Sequence, residues 1–201
     1  NLIIRAKKLL EEKLNIQLSV EIYLNKNIPI GAGLGGGSSN AAATMIALTK
    51  LFNLQIDTKH LFGLALQLGS DVPFFLNPVP SFAESRGEVL VPINLKLKKY
   101  LVIVNPGIHI STKWAFGLIT PIQPKISLQV PIRKSPVEIG ELMSIASNDF
   151  EKIVFNHFPE IREIKDKMLE FNAVFSMMTG TGSTVWGIFD DEEAANKTEL
   201  Y

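Results

Sequence analysis

The sequence contains no cysteine and no excess of either charge. Without cysteine the chain can form no disulfide, no thiolate metal site and no cysteine nucleophile, and an intracellular location is favoured. Its 20 basic residues balance 20 acidic residues, so the chain as a whole offers no attraction to nucleic acid or to anionic lipid. Any site for an anion must therefore be built locally.

Long apolar runs are also missing. Although 46% of the residues are hydrophobic, no apolar stretch approaches the roughly 20 residues that span a bilayer. Neither a signal peptide nor an internal repeat is visible in the sequence. We therefore expect a soluble, cytoplasmic protein, monomer or homodimer, that acts on a small molecule and binds no membrane and no nucleic acid.

The spacing of apolar residues predicts secondary structure along most of the chain. Helical spacing covers residues 2–14, 41–52, 57–69, 137–155 and 160–171, and Asp190 is expected to cap a last helix. Alternation predicts its clearest strand over 16–24, with others over 81–85, 89–93, 100–104, 173–178 and 184–189. Four prolines between Thr120 and Pro136 predict a loop or a boundary. Because strands and helices come in blocks, the pattern favours α+β over a doubly wound sheet.

The chemistry signal is concentrated between Pro29 and Asn40. Five glycines within the seven residues 31–37 would let the backbone wrap closely around a ligand. The segment leads directly into a helix that carries Ser38 and Ser39 in its first turn, so unpaired N–H groups, the helix dipole and two hydroxyls converge. We interpret this segment as an anion site, most simply for phosphate; the alternative is a flexible linker.

Two familiar phosphate loops fit this segment poorly. A Walker A motif needs a lysine where Gly37 stands, so a P-loop is excluded. Gly31, Gly33 and Gly36 satisfy the dinucleotide pattern Gly-x-Gly-x-x-Gly, with Asp57 near the distance of a ribose-binding acid. Residues 53–56 are nevertheless a weak candidate for the second parallel strand that this pattern requires, and Asp57 is more typical of a helix cap. A dinucleotide-dependent oxidoreductase stays open as an alternative.

The loop resembles the ATP-binding motif of the GHMP small-molecule kinases. The match consists of Pro29-x-x-x-Gly33-Leu34-Gly35 followed by Ser38-Ser39, and the run from Gly35 to Ala42 is similar to one branch, the 4-diphosphocytidyl-2-C-methyl-D-erythritol kinases of the non-mevalonate isoprenoid pathway. Segments at 1–3, 69–75, 105–107, 147–151 and 179–182 follow that family's order. The resemblance implies an α+β two-domain sandwich, with residues 1–92 in a part like domain 2 of ribosomal protein S5 and 93–201 in a ferredoxin-like part.

The resemblance also implies roles for individual residues. Asp71 would take the proton of the substrate hydroxyl as that oxygen attacks the γ-phosphate of ATP, while Mg²⁺ screens the phosphate oxygens. ATP would be held by Asn1, Lys26, Pro29, Ile30, Gly31, Ala32, Gly33, Leu34, Gly35, Gly36, Gly37, Ser38, Ser39 and Asn40. The substrate would be contacted by Thr112, Phe116, Gly180, Thr181 and Gly182, with Ser111 and Trp114 as further candidates.

No role follows for the three histidines, His60, His109 and His157, and no metal-binding side chains are predicted. The implied activity is ATP-dependent phosphorylation of the 2-hydroxyl of 4-diphosphocytidyl-2-C-methyl-D-erythritol. Another GHMP kinase and a non-catalytic nucleotide-binding module are the alternatives within nucleotide binding. The family begins with a strand whose lysine pairs with the catalytic aspartate, and no counterpart precedes Asn1, so we expect these 201 residues to be part of a longer protein.

Overall fold

The computed structural model describes residues 1–120 and 136–199. The chain divides into two units, one formed by Asn1–Asn27 with Gly35–Ile93 and the other by Ile28–Leu34 with Asn94–Tyr201. The proline-rich loop predicted between Thr120 and Pro136 lies almost wholly outside the described residues. Helices and strands occur together in both units, which confirms the predicted α+β class.

The first unit contains three helices, a 3₁₀ helix and one hairpin. Their bounds are α1 (Leu2–Leu14), α2 (Gly36–Leu51), α3 (Thr58–Leu68), the 3₁₀ helix (Pro73–Leu76), β1 (Ser81–Glu84) and β2 (Val89–Pro92). The strands are antiparallel, with Ser81 opposite Pro92. Asn1 caps the start of α1, with its side-chain oxygen accepting the N–H of Ile3, and Asn15 caps the end in a left-handed conformation.

The core of this unit lies between its helices. Helices α1 and α2 pack on each other through small residues, because Ala6, Ala41 and Ala42 are fully buried. Larger apolar side chains complete the core: Leu10, Leu18, Met45, Leu48, Leu68 and Val72. The predicted third helix is confirmed, since Asp57 caps its start and Gly69 follows its last residue. Helix α2 begins at Gly36, which confirms that Ser38 and Ser39 lie in its first turn; the apolar pattern alone covered only residues 41–52.

The second unit is built on a three-stranded antiparallel sheet in the order β4-β7-β6. Its elements within the described residues are β3 (Leu95–Lys96), β4 (Tyr100–Val104), α4 (Thr112–Leu118), β5 (Val137–Glu138), α5 (Ile139–Met143), α6 (Glu151–His157), α7 (Pro159–Glu170), β6 (Phe175–Met178), β7 (Val185–Phe189) and α8 (Glu192–Glu199). Helix α7 packs on β6 and β7, and α8 packs on β4 and β7. The buried core includes Ile110, Val154, Ile161, Met168, Met178, Val185 and Phe189.

The strand predicted over residues 16–24 is wrong, since this segment has no regular secondary structure. A strand requires a partner for its backbone groups. In the described ranges, the N–H groups of Ile16 and Leu18 donate only to Glu11, at 3.1 and 2.8 Å. The alternation buries Leu18 alone, whereas Ile22 and Leu24 are 38% and 45% exposed.

The long helix predicted over residues 137–155 is also wrong. Residues 137–138 pair with β3 as a short parallel strand, and the helical part is split into α5 and α6. The split contains Asn148, whose side-chain oxygen accepts the N–H of Phe150 at 2.9 Å. Such local bonds from Ser, Asn and Asp side chains compete with helical bonds and favour turns.

The cap predicted at Asp190 is displaced by one residue. Asp191 accepts the N–H of Glu193 at 3.1 Å through its side chain and that of Ala195 at 3.2 Å through its carbonyl, so it caps α8. Asp190 instead pairs with Lys99. Among residues 1–120 and 136–199, no helix combines the length and the apolar character that a membrane crossing requires.

Candidate phosphate-binding site and catalytic base

In the second unit, residues 28–34 form an anchored loop. Gly31 and Gly33 have φ values of 72° and 74°, which favour glycine. Ala32 is buried and its carbonyl accepts the N–H of Thr184 at 3.4 Å, while the carbonyl of Gly33 accepts the hydroxyl of Thr179 at 3.0 Å. A flexible linker would lack these contacts, so the linker alternative is wrong.

Gly33 tolerates no side chain because the turn at residues 179–182 lies directly against it. A Cβ on Gly33 would be 2.5 Å from the carbonyl oxygen of Thr179 and 2.9 Å from that of Gly182. Both are backbone atoms, which cannot move aside as a flexible side chain can. The structure thus brings together the glycine loop and the Gly-Thr-Gly turn, two segments separated by about 145 residues in the sequence.

In the first unit, the loop continues as the start of α2. Gly35 precedes the helix with a φ of 64°, and no side chain of the described residues caps it. The N–H groups of Gly36, Gly37 and Ser38 donate to no acceptor in the described part of the chain. The side chains of Ser38, Ser39 and Asn40 are half-buried, and within the same described residues they form no hydrogen bond. This helix start therefore presents a set of unused donors.

Lys26 adds a positive charge to the same helix start. Its Nζ lies 3.3 Å from the position that a Cβ on Gly36 would occupy. Of the acidic residues that the structure describes, none forms an ion pair with Lys26. An ammonium and the positive end of a helix dipole repel each other, so their proximity favours an anion bound between them.

Asp71 lies in the segment that joins α3 to the 3₁₀ helix. Its neighbours Val72 and Pro73 are buried, whereas Asp71 itself is exposed. Phe75 of the 3₁₀ helix packs against Gly35, where a Cβ would be 2.8 Å from the ring. The 3₁₀ helix therefore contacts the residue that precedes α2. The Asp71 carboxylate lies beside the β1–β2 turn, with Oδ1 3.6 Å from a Cβ placed on Gly87. It forms no ion pair with any described residue.

Asn1 has a structural partner, since its side-chain oxygen caps α1 by accepting the N–H of Ile3 at 3.0 Å. The following residue contacts the α2 start, because a Cβ on Gly37 would be 3.4 Å from Leu2. Asn1 is therefore near the first turn of α2, and a contact between its side chain and the nucleotide stays a prediction.

The candidate substrate residues of the second unit lie close together. The hydroxyls of Thr112 and Thr181 are 3.5 Å apart, which joins the start of α4 to the glycine turn. Gly180 lies against the loop, since its Cβ position is 3.5 Å from the carbonyl oxygen of Gly33. Gly182 has a φ of 92° and faces Ile110 and Met178, which a Cβ would approach to 2.8 Å.

The two aromatic candidates differ in their surroundings. Trp114 packs edge-on against His157 and Phe158, at 5.0 and 5.8 Å between ring centroids, as part of the core. Phe116 is 61% exposed and contacts only Phe150 among the rings that the structure describes. Most of the Phe116 ring is thus accessible, whereas Trp114 mainly stabilises α4; a contact of Phe116 with a base stays a prediction. Ser111 caps that helix by accepting the N–H of Trp114 at 3.3 Å.

Two residues at this site were missed from the sequence. The imidazole of His109 packs against Gly31 so closely that a Cβ there would overlap it. Asn148 donates two hydrogen bonds to the backbone at the start of the glycine turn. Both contacts join residues that are far apart in the sequence, so no local pattern predicts them. The one signal for Asn148 was its place in the segment 147–151, which resembles the family. His60 and His157 have local partners, Asp57 and the carbonyl of Ile153.

The dinucleotide alternative is not supported by this geometry. Asp57 caps α3 by accepting the N–H of His60 at 2.8 Å, and residues 53–57 form no strand. The pKa of Asp57 lies below its ordinary value because that N–H, and then the His60 side chain, stabilise the carboxylate. Within the described ranges, no three His, Asp or Glu side chains are grouped to hold a metal ion.

Comparison with known proteins identifies the family of the chain. Residues 1–77 match the family described as "GHMP kinases N terminal domain", and residues 128–200 match "GHMP kinases C terminal". A 4-diphosphocytidyl-2-C-methyl-D-erythritol kinase of Bacteroides fragilis is 42% identical over all 201 residues, which cover 72% of that relative. One from Azobacteroides pseudotrichonymphae is 43% identical over 94% of this chain and 70% of its own length.

Solved structures give the same result. A crystal structure of 4-(cytidine 5'-diphospho)-2C-methyl-D-erythritol kinase matches 98% of this chain and 72% of its own, with a TM-score of 0.81 and 32% identity. Homoserine kinase from Cytophaga hutchinsonii shares the fold, with a TM-score of 0.73 over the whole of this chain and 70% of its own, at 20% identity. The chain therefore belongs to the GHMP kinases and, within them, to the family of the 4-diphosphocytidyl-2-C-methyl-D-erythritol kinases.

Proposed function

We propose that this chain provides the nucleotide site and the base of an ATP-dependent kinase that phosphorylates the 2-hydroxyl of 4-diphosphocytidyl-2-C-methyl-D-erythritol, a step of isoprenoid precursor synthesis. The observation that carries the proposal is the start of α2, where N–H groups and hydroxyls lie beside the Lys26 ammonium, and none of these groups has a hydrogen-bond or ion-pair partner among the residues that the structure describes. Such a site favours a multiply charged anion such as a triphosphate.

ATP would be bound by the loop from Pro29 to Asn40. The backbone N–H groups of Gly36 and Gly37 would donate to phosphate oxygens, and the hydroxyls of Ser38 and Ser39 would add further donors. Lys26 would neutralise phosphate charge, with Asn1 towards the adenosine side. Mg²⁺ would arrive on the phosphates and screen their charge, which fits a site with few carboxylates, because Mg²⁺ is commonly bound through one or two carboxylates plus substrate phosphates.

Asp71 would be the general base. Its carboxylate is exposed and forms no ion pair among the described residues, so it is available to a substrate hydroxyl. Phosphoryl transfer depends mostly on position and on charge stabilisation, and one carboxylate that accepts the hydroxyl proton is sufficient. The proton would pass from the 2-hydroxyl to Asp71 as the hydroxyl oxygen bonds to the γ-phosphorus and ADP leaves.

The proposal extends to the substrate residues and to the setting of the protein. The methylerythritol and cytidine ends would contact Thr112, Phe116, Gly180, Thr181 and Gly182, since these residues surround one turn and one exposed aromatic ring. Residues 1–92 would form the N-terminal domain and 93–201 the C-terminal domain. We also propose a cytoplasmic location and a monomer or homodimer that binds no nucleic acid; the absence of cysteine supports the location, and the balance of charges supports the absence of nucleic acid.

A comparison of acceptor substrates tests the proposal. ADP release would be measured for the full-length protein, with 4-diphosphocytidyl-2-C-methyl-D-erythritol, homoserine and mevalonate as separate acceptors. We expect turnover with the cytidine diphosphate compound alone. Turnover with homoserine or mevalonate instead would assign another GHMP activity, and ATP binding without turnover on any acceptor would indicate a nucleotide-binding module.

A further inference from the structure

Asn148 uses its whole amide group to hold the start of the glycine turn. Its Nδ2 donates to the carbonyl oxygens of Met178 and Gly180, both at 2.8 Å. Its Oδ1 accepts the N–H of Phe150 at 2.9 Å, which fixes the orientation of the amide. The side chain is half-buried, so these bonds are only partly exposed to competition from water.

Glu151 bonds the backbone N–H of Met178, the last residue of β6, whose carbonyl is bonded by Asn148. One carboxylate oxygen accepts the N–H of Met178 at 2.8 Å, and the other accepts Lys165 at 2.6 Å. The Glu151 and Lys165 side chains are only 15% and 24% exposed. Both backbone polar groups of Met178 are therefore bonded to side chains from residues 148–151.

The segment held in this way is the one that contacts the phosphate loop. Thr179 follows Met178 directly, donates its hydroxyl to the carbonyl of Gly33, and places its own carbonyl against the Gly33 Cα. Gly180, the second residue bonded to Asn148, has a φ of 54° and lies beside Gly33. The two hydrogen bonds of Asn148 thus flank Thr179, the residue that bonds the loop.

We infer that Asn148 is a positioning residue for the phosphate loop, which acts through Thr179 and not by contact with the nucleotide. The inference rests on the proposed function for its effect on ATP, but the positioning itself is a property of the free chain. An amide is required, because only a group with two N–H donors and one acceptor satisfies two carbonyls and one backbone N–H together.

The substitution Asn148→Asp tests this directly. It keeps the shape and the acceptor for Phe150, but it places a carboxylate oxygen against two carbonyl oxygens. Asn156→Asp is the matched control, because Asn156 is exposed on α6 and, in the described part of the chain, its side chain forms no bond. Titration calorimetry would measure the affinity for Mg-ATP. Amide hydrogen exchange would measure the exchange rate of the Thr184 N–H, which donates to the carbonyl of Ala32 in the loop.

We expect Asn148→Asp to weaken Mg-ATP binding about tenfold relative to Asn156→Asp, as the loss of hydrogen bonds would produce. We also expect faster exchange at Thr184 without any nucleotide. Acidification from about pH 8 to about pH 5 should reduce the difference in Mg-ATP affinity between the two variants. The reason is that the new carboxyl at position 148 faces carbonyl oxygens and regains a hydrogen-bond donor when it is protonated.

A double substitution separates positioning from general destabilisation. Thr179→Val removes only the hydroxyl that bonds Gly33, so its effect on Mg-ATP affinity should add less than fully to that of Asn148→Asp. Additive effects, or unchanged exchange at Thr184 in Asn148→Asp, would overturn the inference. Faster exchange at Thr184 in a chain whose unsubstituted form binds no Mg-ATP would support the positioning role and contradict the proposed function instead.

Discussion

Among single residues, Asp71 is the one whose chemistry the proposed reaction needs most directly. Asp71→Asn keeps the shape of the side chain but removes the proton acceptor. We expect the rate of phosphoryl transfer to fall by about 100-fold or more, the usual contribution of a general base, while the affinity for Mg-ATP changes little. Steady-state kinetics and calorimetric titration of the same preparation would measure the two quantities.

Asp166→Asn is the control for this experiment. Asp166 is an exposed aspartate of α7 that bonds to no described residue, so its substitution should leave both quantities unchanged. If Asp71→Asn retained the full transfer rate, Asp71 would not be the base. If it lost Mg-ATP affinity as well as rate, Asp71 would act in nucleotide binding.

Gly33 is the residue where the glycine requirement is strictest. Gly33→Ala would place a Cβ against backbone atoms at a positive φ, so we expect loss of Mg-ATP binding and a free energy of unfolding lower by about 1–3 kcal/mol. Gly63→Ala is the matched control, because a Cβ at that helical position meets no atom within 4 Å. It should raise the free energy of unfolding by about 0.5–1 kcal/mol and leave binding unchanged.

Chemical denaturation and titration calorimetry would measure both glycine variants. Equal stability of Gly33→Ala and Gly63→Ala would contradict the close packing of the loop on Thr179.

The glycine loop could be singled out from the sequence because its residues lie within one short stretch. Asp71 was singled out only by the resemblance of residues 69–75 to the GHMP kinases, and its role stays a prediction. The sequence predicted neither the packing of His109 on Gly31 nor the bonds from Asn148 to the turn. Each of these joins residues about 30 or more positions apart, and no spacing rule in a single sequence relates such positions.

At the scale of elements, the capping of α3 by Asp57 makes stability depend on pH. The folded pKa of Asp57 is lower than its ordinary value of 3.8, because the N–H of His60 bonds the carboxylate. The stabilisation is therefore fully present above the unfolded pKa and is lost as the pH falls through the folded pKa. Asp57→Ala should lower the melting temperature at neutral pH, and the difference should shrink below about pH 4.

Thermal melts in the His60→Ala background would isolate the backbone bond, since that variant retains the N–H at position 60. Asp57→Asn keeps a good capping side chain without the charge. At neutral pH its melting temperature should lie between that of Asp57→Ala and that of the protein that retains Asp57. A difference between Asp57→Ala and its parent that grows on acidification would show that the carboxylate does not stabilise α3.

Element prediction succeeded where an element carries its own signals and failed where it depends on a partner. Helix α3 has its cap and its terminal glycine in the sequence. Residues 16–24 carry the alternation of a strand, but alternation does not specify which backbone would pair with them. The helix predicted over 137–155 failed because Asn148 uses its side chain for turn bonds, which the apolar pattern around it does not reveal.

At the scale of the whole molecule, each unit has its own buried core, and the family match extends over both. The α+β class could be predicted because strands and helices come in blocks. The grouping of residues 28–34 with the second unit could not be predicted, since they lie within the sequence of the first. That assignment depends on the contacts of Ala32 and Gly33 with Thr184 and Thr179, which exist only in the folded chain.

Parallel calorimetric titrations of the folded chain with Mg-ATP and with NAD test the central claim, that the glycine loop and the start of α2 hold the triphosphate of ATP. We predict saturable binding of Mg-ATP at one site per chain, abolished by Gly33→Ala and retained in Gly63→Ala, and no binding of NAD. Binding of NAD in preference to Mg-ATP, or Mg-ATP binding that Gly33→Ala leaves intact, would contradict the claim.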